Sequence, residues 1–167
     1  YFGNFERGDE VEYRVIAVDS QFNSKEVIKK FIVKNNPPSV SVGPGDEGRI
    51  VYPNSSNCFS NTIYVTFEWK FSDPDPDDTQ KAVHIQIGRD KDGDGFSWTD
   101  ADDIVWDQTV FQESETLSTQ FYSVPLDWNT SYFWRIRVQD TPGSWSSWQE
   151  KDTEGNILKF KTPLHPY

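Results

Sequence analysis

The sequence has no methionine, one cysteine and only two histidines in its 167 residues. Because Cys58 has no second cysteine to pair with, stability must come from packing or a bound metal rather than from an internal disulfide. There is no apolar run of about 18 residues and no signal-peptide pattern, so we expect no membrane insertion. The absence of methionine, even at position 1, suggests a piece of a longer chain.

The motifs of the common enzyme classes are also missing. The sequence contains no G-x-S-x-G, no H-E-x-x-H and no phosphate-binding glycine loop, and His84 and His165 lie far apart. Acidic residues are abundant but concentrate in predicted turns, whereas a glycosidase needs two carboxylates spaced across a cleft. The sequence therefore predicts that this chain is not an enzyme. His84 is interpreted as a residue on a strand face.

The charge is strongly one-sided, with a formal net charge of -11 and a pI near 4.5. Such a chain repels a nucleic-acid backbone or an anionic membrane surface, so neither is expected as a partner. Cations are the expected partners.

Apolar residues recur with a period of two almost throughout, which predicts an all-β chain without a helix. "NNPP" at 35–38 cannot continue a strand ladder and predicts a linker between domains. We therefore predict that residues 1–36 are the C-terminal strands of a preceding, incomplete sandwich and that residues 37–167 form a complete domain ending in a linker. The predicted strands are 11–20, 26–35, 39–42, 49–53, 62–71, 81–88, 103–110, 116–124, 131–140 and 156–163.

Residues 62–163 resemble a prokaryotic fibronectin type III-like module, that is, an immunoglobulin-like antiparallel β-sandwich. The resemblance lies in "FEWKFSDPDPDD", "IQIG", "IVWD" and "LDWNTSYFWRIRVQD", in that order. Leu126 lies six residues before Tyr132, a spacing similar to that of the tyrosine corner in these domains. The first 36 residues resemble the closing strands of another such module.

The resemblance implies a non-catalytic structural, adhesion or protein-binding module of a multidomain secreted or cell-surface protein, located outside the cell. Its partners would be neighbouring domains or subunits, or a glycan or protein ligand. Two alternatives stay open. One is an accessory module of a secreted hydrolase that binds carbohydrate or protein, with Trp98, Trp145 or Trp148 in contact with sugar. The other is a filament or surface-layer subunit whose hairpin at 1–36 completes a neighbour by strand exchange.

An acidic loop at 90–103 carries the clearest binding motif. Asp90, Asp92 and Asp94 stand at positions 1, 3 and 5 of a D-x-D-x-D-G pattern, with Gly95 at the sharp turn and the Phe96 carbonyl at position 7. Calcium prefers such hard oxygen ligands, whereas the absence of nearby histidine or cysteine disfavours zinc. The sequence predicts a structural calcium site, with a solvated acidic turn as the alternative.

The closing ligand of this loop is not fixed by the pattern. Position 12, which usually holds a bidentate acid, is Ala101. Asp100, Asp102 and Asp103 are the candidates to replace it. A second acidic turn, with Asp73, Asp75, Asp77 and Asp78 in "SDPDPDD", is interpreted as solvated because it has no glycine to permit a tight wrap.

"GSWSSWQE" resembles the W-S-x-W-S element of cytokine-receptor fibronectin modules, except that Gln149 replaces the last serine. Arg135 and Arg137 alternate onto one face of the preceding strand. We expect them to stack on Trp145 and Trp148, and an exposed aromatic platform for sugar rings is the alternative.

Two asparagines, Asn54 and Asn129, match the N-glycosylation pattern and lie in predicted loops.

Overall fold

The computed structural model separates the chain into two compact units, residues 1–36 and 37–167. It describes residues 5, 7–44, 49–51, 63–111, 118–124 and 126–164, and for 49–51, 63, 64, 66 and 118–124 only the backbone. Cys58, Asn54 and His165 lie outside the described residues. All regular elements in the described ranges are strands, and no described helix is long and apolar enough to cross a membrane.

The first unit is an antiparallel hairpin of β1 (Glu10–Val18) and β2 (Ser24–Ile32), with Val15 opposite Val27. Because side chains alternate along a strand, its two faces differ. One face carries exposed apolar residues, among them Tyr13 and Phe31 with ring centroids 6.3 Å apart. On the other face, Arg14 pairs with Glu26 and Lys30 pairs with Glu10, each at 2.6 Å, beside the exposed side chains of Ile16 and Ile28.

The second unit is built from antiparallel sheets, as an immunoglobulin-like sandwich requires. The strands are β3 (Ser39–Ser41), β4 (Arg49–Val51), β5 (Ile63–Glu68), β6 (Lys70–Ser72), β7 (Gln80–Gly88), β8 (Ile104–Phe111), β9 (Ser118–Val124), β10 (Ser131–Asp140) and β11 (Lys159–Lys161). The four-stranded sheet has the order β11-β10-β7-β8, a three-stranded sheet has the order β4-β5-β9, and β3 pairs with β6.

Alternation along most of β7 and β10 places apolar side chains inward, and polar side chains predominate at the outward positions. Along β10 the residues from Tyr132 to Val138 are alternately buried and half-buried, and along β7 Ile85 and Ile87 are fully buried. Trp134 packs against Phe67 of β5, with ring centroids 4.6 Å apart. The outward positions of these strands therefore form the second face of the four-stranded sheet.

The predicted strand 62–71 is wrong in one respect, because it divides at Trp69. β5 pairs with β4 and β9, whereas β6 pairs with β3. The indole of Trp69 is buried, and its Nε1 donates a hydrogen bond of 2.8 Å to buried Gln80 Oε1. This bond satisfies both polar groups in the core at the point where the chain changes partners.

At the predicted tyrosine corner, Tyr132 is buried and Leu126 belongs to the core. The backbone N–H of Asp127 donates a hydrogen bond of 2.8 Å to Tyr132 Oη. The phenol thus bonds to the chain upstream, next to Leu126, and ties the segment before β10 to the sheet.

Candidate functional site

Three tryptophans and two arginines alternate in one stack on the outer face of the four-stranded sheet. In order they are Trp98, Arg135, Trp148, Arg137 and Trp145. The guanidinium carbon of Arg135 lies 4.5 Å from the ring centroid of Trp98 and 4.4 Å from that of Trp148. That of Arg137 lies 4.6 Å from Trp148 and 4.7 Å from Trp145. We call these residues the tryptophan–arginine ladder. Each contact contributes about 0.5–2 kcal/mol.

Hydrogen bonds to acceptors on β7 and to Glu150, which follows β10, hold both guanidinium groups in place. Arg135 Nε donates to Gln86 Oε1 at 2.7 Å, and its Nη1 donates to Glu150 Oε1 at 3.1 Å. Arg137 Nε and Nη2 lie 3.2 and 3.0 Å from His84 Nδ1. The planar fork of arginine allows it to donate these bonds in its own plane while its faces stack on indoles.

Asp107 of β8 forms hydrogen bonds with His84 and Gln86, the two β7 residues that accept from the arginines. Its Oδ1 lies 2.5 Å from His84 Nε2, and its Oδ2 accepts from Gln86 Nε2 at 2.7 Å. Partial burial alone would raise the pKa of Asp107, but the hydrogen bonds from His84 and Gln86 lower it below its ordinary value. Asp107 is therefore a carboxylate acceptor that orients His84 and Gln86 for their hydrogen bonds with the arginines.

The segment between the ladder tryptophans is attached to β10 by its backbone. The backbone N–H of buried Ser146 donates to Val138 O at 2.9 Å, and Ser146 Oγ accepts from Val138 N at 3.0 Å. Gln149 and Ile136 also exchange two backbone hydrogen bonds. Ser146 thus holds the segment in the position from which Trp145 and Trp148 contact the arginines.

The predicted calcium loop brings its three alternating acids together. Carboxylate oxygens of Asp90, Asp92 and Asp94 lie within 4.8 Å of one another, and all three residues are exposed. Gly93 and Gly95 have φ values of 86° and 111°, which side chains other than hydrogen rarely permit. The loop thus turns tightly enough to bring one carboxylate oxygen from each of the three residues into a single cluster.

The close approach of these carboxylates shifts the pKa values of Asp92 and Asp94 in opposite directions. The pKa of Asp94 is raised, first by a hydrogen bond shared with Asp92 and then by repulsion from the Asp92 carboxylate. The pKa of Asp92 is lowered, mainly by a hydrogen bond from the backbone N–H of Asp94. A proton or a cation between these side chains would relieve the repulsion.

The three acids predicted as closing ligands are placed differently. Asp103 is buried, and its carboxylate accepts hydrogen bonds from the backbone N–H groups of Ser97 at 2.8 Å and Lys91 at 3.3 Å. Asp100 Oδ1 accepts from the backbone N–H of Asp102 at 2.9 Å. Among the described residues, the acids of this loop whose carboxylate oxygens lie close enough together to share a metal ion are Asp90, Asp92 and Asp94. Asp103 closes the loop through backbone amides.

Aromatic packing joins the same loop to the ladder. Phe96 stacks on Phe133 with centroids 4.3 Å apart, and Trp98 meets Phe96 edge-on at 4.7 Å. Gly88 makes room for this arrangement, because a Cβ there would lie 2.6 Å from Phe96 Cε2. The insert therefore lies against the outer face of the sheet and delivers Trp98 to Arg135.

The second acidic turn also groups its carboxylates, since oxygens of Asp73, Asp75 and Asp78 lie within 4.8 Å of one another. Asp75 N donates to Asp73 Oδ1 at 2.8 Å. The pKa of Asp73 is raised, first by burial and then by the neighbouring carboxylates of Asp78, Asp140 and Asp75. The turn is thus more tightly folded than its sequence indicates.

Of the two glycosylation motifs, only Asn129 lies within the described residues. It is exposed, it has a φ of 51°, and its backbone N–H donates to Pro163 O at 2.7 Å. Its side chain is therefore sterically accessible in a turn.

Several contacts of the site were not predicted from the sequence. The sequence places Trp98 in the acidic insert and gives no sign that it stacks on Arg135. His84 and Asp107 were assigned to strands, but their contact follows from the pairing of β7 with β8. The strand register explains the contacts of His84, because His84 lies opposite Arg137 and Gln86 lies opposite Arg135 in the β7–β10 pairing.

Comparison with known proteins identifies the domain. The sequence model of one family, described as "Rha78A-like, N-terminal immunoglobulin domain", matches residues 60–154, more than half of the chain. No curated protein sequence matches the chain.

Two solved structures are similar at low identity. An alpha-L-rhamnosidase from Dictyoglumus thermophilum is 18% identical with a TM-score of 0.45, and the match covers 79% of this chain and 11% of that one. A putative carbohydrate binding protein from Bacteroides uniformis is 14% identical with a TM-score of 0.31, covering 91% of this chain and 70% of that one. This chain thus spans about a ninth of the rhamnosidase.

The family match and the antiparallel sandwich agree with the predicted all-β, immunoglobulin-like module of a multidomain protein. The chain belongs to the family of Rha78A-like N-terminal immunoglobulin domains.

Proposed function

We propose that residues 37–167 form a non-catalytic, extracellular structural module of a secreted or surface multidomain protein. The observation that carries this proposal is the tryptophan–arginine ladder. Both faces of Trp148 are occupied by guanidinium groups of the same domain, at 4.4 and 4.6 Å. A sugar ring binds an aromatic side chain through such a face, so the central tryptophan, Trp148, serves the domain's own packing. Family membership as an N-terminal immunoglobulin domain supports an accessory position beside other domains.

Titration of the chain with oligosaccharides tests this function. We expect the indole N–H resonances of Trp98, Trp145 and Trp148 to stay unshifted, and we expect no release of phenol from aryl glycosides. Saturable shifts of the ladder indoles that disappear in Trp148→Ala would contradict the structural role and favour the accessory carbohydrate-binding module. Hydrolysis of an aryl glycoside would contradict the non-catalytic assignment.

We further propose that calcium binds between Asp90, Asp92 and Asp94. Three hard oxygen donors within 4.8 Å of one another suit calcium, which takes its remaining ligands from backbone carbonyls such as that of Phe96 and from water. Bound calcium would relieve the repulsion that raises the pKa of Asp94. The ion would be structural, because it would hold an insert that already packs on the sheet through Phe96.

Thermal unfolding with calcium and with chelator tests this site. If calcium is present at about a hundredfold above its Kd, linkage adds about 2.7 kcal/mol, so the chelated protein should melt at a clearly lower temperature. The combined change Asp92→Ala and Asp94→Ala should remove the difference. Asp77→Ala, in the other acidic turn, is the matched control and should preserve it. Identical melting of the unaltered protein in both buffers would show that the loop is acidic without binding calcium.

For residues 1–36 we propose the terminal strands of another sandwich. The hairpin exposes apolar side chains on both faces, among them Val15, Val27 and Phe31 on one face and Ile16 and Ile28 on the ion-paired face. A lone hairpin is at best marginally stable in water, so further strands are needed to cover this apolar surface.

A further inference from the structure

The protonation state of His84 is fixed by its two neighbours. Arginine has no hydrogen-bond acceptor, so the two contacts from Arg137 Nε and Nη2 require a lone pair on His84 Nδ1. The proton of the imidazole then lies on Nε2 and is donated to Asp107 Oδ1. The observed arrangement therefore belongs to neutral His84 in its Nε2–H form.

A second proton on His84 is incompatible with this arrangement. It would place an N–H on Nδ1, directed at the N–H groups of Arg137, and two hydrogen bonds would be replaced by repulsion between two cations. Asp107 acts in the opposite direction, since a carboxylate 2.5 Å from Nε2 attracts an imidazolium. Protonation of His84 and its hydrogen bonds to Arg137 thus exclude each other, and Asp107 keeps the protonated form accessible.

The charged groups around the imidazole come from two strands and from the segment after β10. Within the described residues, β8 contributes Asp107, and β10 contributes Arg137 and, one residue pair away, Arg135. The segment after β10 contributes the uncharged rings of Trp148 and Trp145, with centroids 4.8 and 6.1 Å from the imidazole, and Glu150, which is bonded to Arg135. The His84 side chain is 13% exposed, which leaves a path for a proton from solvent.

We propose that His84 is a pH-sensitive switch of the ladder: when it takes up a second proton, Arg137 leaves its position between Trp145 and Trp148. The other half of the ladder does not depend on this proton, because Arg135 donates to Gln86 and Glu150.

Nitrogen NMR across a pH titration tests the switch in the intact chain. At about pH 7.5 we expect a protected Arg137 Nε–H resonance and a His84 ring with Nε2 protonated and Nδ1 unprotonated. At about pH 5 the Arg137 resonance should be lost, and the indole resonances of Trp145 and Trp148 should shift with the same midpoint. An Arg137 resonance that persists after His84 is doubly protonated would overturn the proposal, as would a protonated Nδ1 at the higher pH.

Two variants separate the switch from general acid effects. In His84→Gln, the amide oxygen can accept from Arg137 and the amide nitrogen can donate to Asp107, but the side chain does not titrate. This variant should keep the Arg137 resonance at both pH values, whereas His165→Gln should retain the full transition. A transition that survives in His84→Gln would assign the change to another group. If His84→Gln does not fold, the ring nitrogen signals of the unaltered protein decide the question.

Discussion

Replacing Trp148 with alanine is expected to lower the free energy of unfolding by about 2–4 kcal/mol. The indole lies between Arg135 and Arg137 and also contacts the His84 ring at 4.8 Å. Its removal abolishes two cation–π contacts and leaves a gap in the middle of the ladder. Equilibrium unfolding in urea at neutral pH measures the loss.

Trp145→Ala is the matched control because Trp145 stands at the end of the ladder. It contacts one guanidinium group, that of Arg137, at 4.7 Å. We expect its loss to be about half that of Trp148→Ala. Equal losses of unfolding free energy in the two variants would mean that the central tryptophan contributes no more to stability than the terminal one.

Asp103→Ala is expected to destabilise the second unit by about 2–4 kcal/mol, because it leaves the backbone N–H groups of Lys91 and Ser97 without their acceptor. Asp103 is only 2% exposed, so water cannot easily replace the carboxylate. The Trp98 contact with Arg135 should weaken as well, since Trp98 follows Ser97 directly. Urea unfolding, read by tryptophan fluorescence, reports both effects.

The neighbouring Asp102 provides the control, because it is exposed and carries the same charge. Asp102→Ala should stay within about 0.5 kcal/mol of the unaltered protein. Equal losses in both variants would mean that the net charge of the insert, rather than the capping of its amides, determines the effect.

Alternation made most strands predictable. The pattern at 131–140 coincides with β10, and that at 81–88 lies within β7 at Gln80–Gly88. The predicted strand at 103–110 begins instead at Ile104, because Asp103 is used to cap the insert. A polar residue at a strand end can be a cap or the first strand position, and only the fold of the loop decides between them.

The candidate site was predictable where its residues are close in sequence. The D-x-D-x-D-G pattern anticipated the grouping of Asp90, Asp92 and Asp94, and the W-S-x-W-S resemblance anticipated stacking of Trp145 and Trp148 on arginines. The positions of Trp98 and His84 depend on how the insert lies on the sheet and on the register between strands. These are long-range features that periodicity does not encode.

The central claim is that the ladder tryptophans act within the domain, and a double-mutant cycle between Trp148 and Arg137 tests it most directly. Unfolding free energies of Trp148→Ala, Arg137→Ala and the double variant give the coupling between the two side chains. The 4.6 Å stacking predicts a coupling of about 1–2 kcal/mol in favour of the pair. Additive losses, with a coupling below about 0.3 kcal/mol, would show that the tryptophan is not engaged by the arginine and would contradict the structural role proposed for this face.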